Sequence, residues 1–176
     1  MDILGSIILG VLSSLVASSL FLWAFFLIKP KILISDKISI SPNAEGKKEY
    51  LIKVVNQGNH SVININAELY IVNSSNVHSG TIDEHTKIPL KFSHLMELNK
   101  FSKDNKSEDF AWYFAIQDDI EKLWLNHNNR QLKFKIIATD SISGFSKVFI
   151  KSFNNITCII DGDFIYGSSL EIIDKP

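Results

Sequence analysis

The chain has 176 residues, and its charges are unevenly placed. No charged residue falls between Ile3 and Ile28; all 18 Lys and Arg follow that run, and so do all Asp and Glu except Asp2. The remainder is formally neutral, which excludes a purely soluble protein, a disordered tail and a strongly basic nucleic-acid binder.

As a helix the uncharged run extends about 39 Å against a hydrocarbon core of roughly 30 Å, so one helix crosses with residues to spare. The competing reading is a secretory signal peptide. Against it stand Asp2 where a basic segment belongs, an apolar stretch about twice the usual length, and no A-x-A site. Lys29, Lys31 and Lys37 follow the run closely. The positive-inside rule then places the C-terminal part in the cytoplasm. Trp23 suits the headgroup level, and Pro30, lacking a backbone donor, stops the helix. The expected organisation is a single-pass protein of the cell (inner) membrane: residues 1–30 an anchor, 31–44 a juxtamembrane strand or linker, 45–176 a cytoplasmic β-sandwich domain.

Within the anchor, Ser6, Gly10, Ser14 and Ser18 recur every four residues, with Ala17 beside them. Residues four apart share a helix face, and small side chains let helices approach closely in lipid. These four are the expected helix-association residues of a homo-oligomer.

Beyond the anchor the pattern is mostly that of strands. Residues 31–41 alternate around Ile32, Ile34, Ile38 and Ile40 and predict one or two short strands. A turn over 42–46 leads to a strand at 49–55 and a tight connection at 56–60. Residues 62–72 alternate throughout, with Ile63, Ile65, Ala67, Leu69 and Ile71 on the core parity. A polar loop is expected over 73–84, an extended segment over 87–98 with Ile88, Leu90 and Phe92 alternating, a second polar loop over 99–107, and an aromatic strand over 110–116.

One helix interrupts the series. Over 118–125 the residues Ile120, Leu123 and Trp124 form an apolar stripe, Asp118 and Asp119 suit its N-terminus, and 126–129 ends it. Strands follow at 132–138, 147–153, 156–160 and 164–173, with hairpin turns at Ser143–Gly144 and Asp161–Gly162. Eight or nine short strands with such turns predict a mostly β fold, an immunoglobulin-like β-sandwich with one short helix.

The segments KVVNQGN at 53–59, the strand running to Tyr70, the helix at 118–125, ATDSISG at 138–144, IKSFNNI at 150–156 and DGDF at 161–164 occur in a telling order. That order is similar to the cytoplasmic domain of inward-rectifier potassium channels, over roughly residues 47–173. The resemblance implies an immunoglobulin-like cytoplasmic sandwich of a kind that assembles as a ring. It does not carry the pore. That needs two membrane helices and a filter loop of the Thr-Val-Gly-Tyr-Gly type, and this chain has one helix and no such loop. Its only arginine, Arg130, is far from the anchor, so the family's basic lipid site has no counterpart and no functional residue transfers.

The chemistry-bearing residues give little. Cys158 is the only cysteine and lies in the apolar run ITCII, as a core thiol would. Four glycosylation triplets, at Asn59, Asn73, Asn105 and Asn155, are expected by chance in so Asn- and Ser-rich a chain. The histidines His60, His78, His85, His94 and His127 form no H-x-H or H-E-x-x-H. His78, Asp83, Glu84 and His85 are the closest to a metal set, but in a polar loop they read as solvated. Asp161 and Asp163 read as a turn, and Asp118, Asp119 and Glu121 as helix capping. Trp112, Tyr113 and Phe114 read as core, without the interleaved basic residues that base stacking needs. No P-loop, G-x-G-x-x-G or G-x-S-x-G is present.

The resulting expectation is a non-enzymatic, membrane-anchored assembly or interaction protein, without catalytic residues, metal or cofactor. Its partners are the lipid bilayer and further copies of itself, with no nucleic acid; a protein partner or small ligand is not specified. The alternatives are a ligand-gated, membrane-perturbing effector of bacterial antiphage defence, and an enzyme or metal protein.

Overall fold

A computed structural model describes residues 3–43, 45–78, 80–102, 108–125 and 130–174. It begins with one long helix, α1 (Ile3–Leu27), which is long and apolar enough to cross a membrane. The Ser19 hydroxyl donates to the Leu15 carbonyl at 2.8 Å, so its polar group is satisfied within the helix. Beyond the last turn comes Pro30, which cannot continue the ladder.

The remaining chain forms two sheets. The first contains β1 (Ile32–Ile34), β2 (Ile38–Pro42), β3 (Lys48–Asn56), β7 (Ala111–Ile116), β10 (Ile159–Phe164) and β11 (Ile172–Asp174). The second contains β4 (Val62–Val77), β5 (Gly80–Ile88), β6 (His94–Leu98), β8 (Arg130–Asp140) and β9 (Ser146–Phe153). A short helix, α2 (Ile120–Leu125), lies between β7 and β8, and a 3-10 turn (Ile156–Cys158) precedes β10.

β1 and β2 run consecutively along one side of β3, and β7 covers its other side. In the second sheet β4 pairs β8, and β8 pairs β9. Chain crossings between the sheets after β3, β6, β7 and β9 complete an immunoglobulin-like sandwich. β10 extends the first sheet by running parallel to β2, and β11 folds back on β10.

Alternation places the core between the sheets. Ile65, Ala67, Leu69 and Ile71 of β4 and Leu132, Phe134, Ile136 and Ala138 of β8 face Ile38, Ile40, Tyr50, Ile52, Val54 and Phe114. The rings of Phe114 and Phe134 meet across the sandwich at 5.5 Å.

The core parity of β4 is not continuous, however. A bulge between Ile63 and Asn66, with Asn64 at φ 51°, shifts the register against β8. Val62 is therefore buried at 1% exposure, while Ile63, expected inside, is only half-buried. The extra residue reverses the facing of everything before it.

Other segments also differ from expectation. The one or two strands expected over 31–41 are present as β1 and β2, but Ile32, Ile38 and Ile40 are buried in the sandwich core, so these strands belong to the sandwich and not to a linker. The folded strands thus start at Ile32. Residues 73–84, expected as a loop, extend β4 and β5 into a hairpin paired from Asn73–Glu84 to Val77–Gly80. Its polarity misled, because beyond the sandwich a strand has no core face to mark it.

The segment 87–98 divides. Pro89 ends β5, Leu90 bridges to Ile116 of the opposite sheet, and the chain returns as β6, leaving Phe92 exposed. Residues 156–160 begin with the 3-10 turn, and Asp161–Gly162 lies inside β10 instead of turning. At Gly162 a Cβ would stand 2.3 Å from the Ile173 carbonyl, so glycine serves close strand approach there. The expected strand over 164–173 is interrupted: β10 ends at Phe164, and β11 begins at Ile172. The turn at Ser143–Gly144 is as expected, with Gly144 at φ 71°. The helix end at 126–129 and part of the loop 99–107 lie outside the described residues, as do Asp2, Asn105 and His127.

Candidate functional site

The end of α1 is joined to the sandwich by aromatic contact. Phe145, in the turn between β8 and β9, stacks on Phe26 at 5.1 Å and an interplanar angle of 9°, and meets Phe25 edge-on at 6.4 Å. Beside this joint a cleft of about 200 Å³ opens between Leu27, Lys29 and Pro30 on one side and Gly58, His60 and Asp140 on the other.

Asp140 organises the turn. Its carboxylate accepts from the Ile142 and Ser143 amides, both at 2.9 Å, and from the Ser143 hydroxyl at 3.2 Å. His60 Nδ1 is 3.4 Å from its other oxygen. Burial works to raise the Asp140 pKa, but the two amides, the hydroxyl and the nearby His60 outweigh it and hold the carboxyl below its usual range. On the neighbouring loop, the buried Asn56 side chain donates to the His60 and Asn99 carbonyls, at 2.9 and 2.8 Å, and accepts from the Gly58 amide at 2.8 Å. The NQGN connection is therefore a polar knot that fixes the sandwich rim next to the helix.

The expected association residues Ser6, Gly10, Ser14 and Ser18 all lie on α1 and are exposed, and a Cβ at Gly10 would meet nothing within 4 Å. At about 100° per residue each four-residue step drifts by about 40°, so Ser18 stands about 120° round from Ser6. Ser13, Ala17 and Ala24 fall within about 40° of the Ser6–Gly10 direction. Ser6, Gly10, Ser13 and Ala17 follow alternating spacings of four and three, the period of a left-handed helix pair, and Ala24 lies one heptad beyond Ala17.

The outer face of the first sheet carries a centre that the sequence reading missed. Lys53 is buried there, and its ammonium donates to Glu108 Oε1 at 2.6 Å and to the Ile165 carbonyl at 2.7 Å. The same Glu108 oxygen accepts from Tyr113 Oη at 2.8 Å and the Gly167 amide at 2.9 Å. Burial and then the bond to Glu108 raise the Tyr113 pKa. A signal was present: Lys53 interrupts YLIKVV, a strand apolar on both parities, where an exposed face would carry more than one polar residue.

The remaining candidates are dispersed. Asp83 accepts from Ser74, and His85 meets the Tyr70 ring edge-on at 6.1 Å. Among the described residues no three His, Cys, Asp or Glu side chains come together as a metal site requires. Asp163 accepts from Ser41 at 2.6 Å. Asp119 caps α2, accepting from the Lys122 amide at 3.3 Å, and Tyr50 Oη lies 3.0 Å from Asp119 and 2.8 Å from Glu121. Cys158 packs half-buried against the core, and burial pushes its thiol up to about 11. Phe114 is core and Tyr113 belongs to the Lys53 centre. Trp112 lines a cleft of about 400 Å³ at the open side between β6 and β7.

These features define a class: an apolar helix packed end-on against an immunoglobulin-like sandwich. No protein-family model matches the chain, and no curated protein matches it either.

Proposed function

We propose that the protein is a single-pass, membrane-anchored, non-enzymatic assembly or interaction protein whose sandwich lies in the cytoplasm. The observation that carries this is the exposure of α1: no residue of it is buried by the sandwich. The helix leaves side chains such as Ile3, Leu9, Leu15, Phe21 and Leu27 more than half exposed. At about 1.5–3 kcal/mol for each large apolar side chain, such a surface left in water costs tens of kcal/mol, so lipid or other helices must cover it. The three lysines after the helix support the cytoplasmic side. The Ser6–Gly10–Ser13–Ala17 face supports association of copies, since a single helix encloses no pathway. The likeness to the inward-rectifier cytoplasmic domain belongs to the same proposal and is supported by the β3–Asn56 turn–β4 order.

The test is cross-linking of the full chain in native membranes, beside Gly10→Ile/Ala17→Ile. Bulky β-branched residues hold the helices apart while leaving insertion intact, so the double variant gives a lower yield. Equal yields would remove this face from the mechanism, and a monomeric full chain would leave a tethered binding module.

A further inference from the structure

We propose that the β8–β9 turn, residues 141–145, is itself seated in the membrane interface beside the end of α1, with the Ile142 side chain against the acyl-chain boundary. This rests on the membrane-anchored reading above. The 25 residues of α1 extend about 38 Å, against a hydrocarbon core of roughly 30 Å, which brings its last turn to the boundary with the headgroups. Phe26 is in that turn, and Trp23, 63% exposed, is one turn before it. The stack of Phe145 on Phe26 fixes the β8–β9 turn at the same depth.

The turn has the chemistry for that depth. Its sequence is SISGF, without a charged side chain. Ile142 is 57% exposed. Every amide of the turn is satisfied internally. The Ser141 amide donates to the Ser61 carbonyl and the Gly144 amide to the Asp140 carbonyl, both at 3.0 Å. The Ile142 and Ser143 amides donate to the Asp140 carboxylate, and the Phe145 amide to the Ser143 hydroxyl at 3.3 Å. A solvated turn has no need of this completeness, whereas a turn leaving water does, since each unsatisfied amide there costs several kcal/mol. Lys29 and Lys31 at the helix end, and Lys147 two residues beyond the turn, supply positive charge for anionic headgroups.

The experiment uses the full chain carrying Cys158→Ala, with a nitroxide on Ile142→Cys, reconstituted in vesicles of phosphatidylcholine and phosphatidylglycerol. Labels on Leu12→Cys and on Ile82→Cys, in the hairpin far from the helix, serve as references. Power saturation with oxygen and with a water-soluble nickel chelate reads depth. The Ile142 label should have a several-fold higher oxygen-to-chelate ratio than the Ile82 label. A ratio equal to that at Ile82, or shielding of the Ile142 label from both agents as a protein contact would give, overturns the proposal while the Leu12 label remains in lipid. A Leu12 label in water overturns the membrane reading and this proposal together.

Discussion

The Lys53 ammonium and the Glu108 carboxylate meet at 2.6 Å on the outer face of the first sheet, the lysine with no exposed side-chain surface. Together they hold the backbone at Ile165 and Gly167, and so clasp the chain between β10 and β11. Removing one partner leaves a buried charge unpaired, at a cost of about 3–5 kcal/mol. Glu108→Ala should lower stability to urea by about that amount, whereas Lys53→Met/Glu108→Leu should recover most of it. A double variant no more stable than the single one would show that the clasp acts by some other route.

The sandwich should need its first strand line. Ile32, Ile38 and Ile40 are buried, and β1 and β2 occupy one side of β3. Each such side chain contributes about 1.5–3 kcal/mol, against a typical domain stability of 5–15 kcal/mol. A fragment starting at residue 45 should be unfolded and one starting at residue 31 folded and rich in β structure, as circular dichroism and amide dispersion would report. A folded 45–176 fragment would contradict this.

The bulge in β4 makes neighbouring positions unequal. Leu69→Asp and Ile65→Asp bury an unpaired carboxylate and should unfold the domain. Ile63→Asp, at a half-buried site, should leave a cooperative thermal transition. Asn64→Val forces a β-branched residue into left-handed backbone and should cost about 1–2 kcal/mol.

Asp140 should set part of the acid sensitivity. Its folded pKa lies below the ordinary 3.8, so its contribution is complete above that value and is lost as pH falls through the lower folded one. Stability should therefore fall more steeply below about pH 4 in the native chain than in Asp140→Asn, which keeps one acceptor oxygen for the turn amides. Parallel slopes would assign the acid response to other carboxylates.

What the sequence by itself determined was whatever depends on local pattern: the uncharged run that makes α1, the inward parity of Ile65, Ala67, Leu69 and Ile71, the apolar stripe of α2, and the turn at Ser143–Gly144. Hydrophobic period and turn chemistry are written in neighbouring residues. The tertiary structure decided what depends on contacts between distant residues. It placed β1 and β2 inside the sandwich, because burial of Ile38 requires the facing sheet. It turned the polar stretch 73–84 into a hairpin through cross-strand pairing alone. It kept DG at 161–162 within a strand because β11 approaches Gly162. It gave the buried Lys53 its partner, Glu108, 55 residues away in the chain. The stack of Phe145 on Phe26 likewise joins distant segments of the chain that no periodicity connects, and it ties the sandwich rim to the helix.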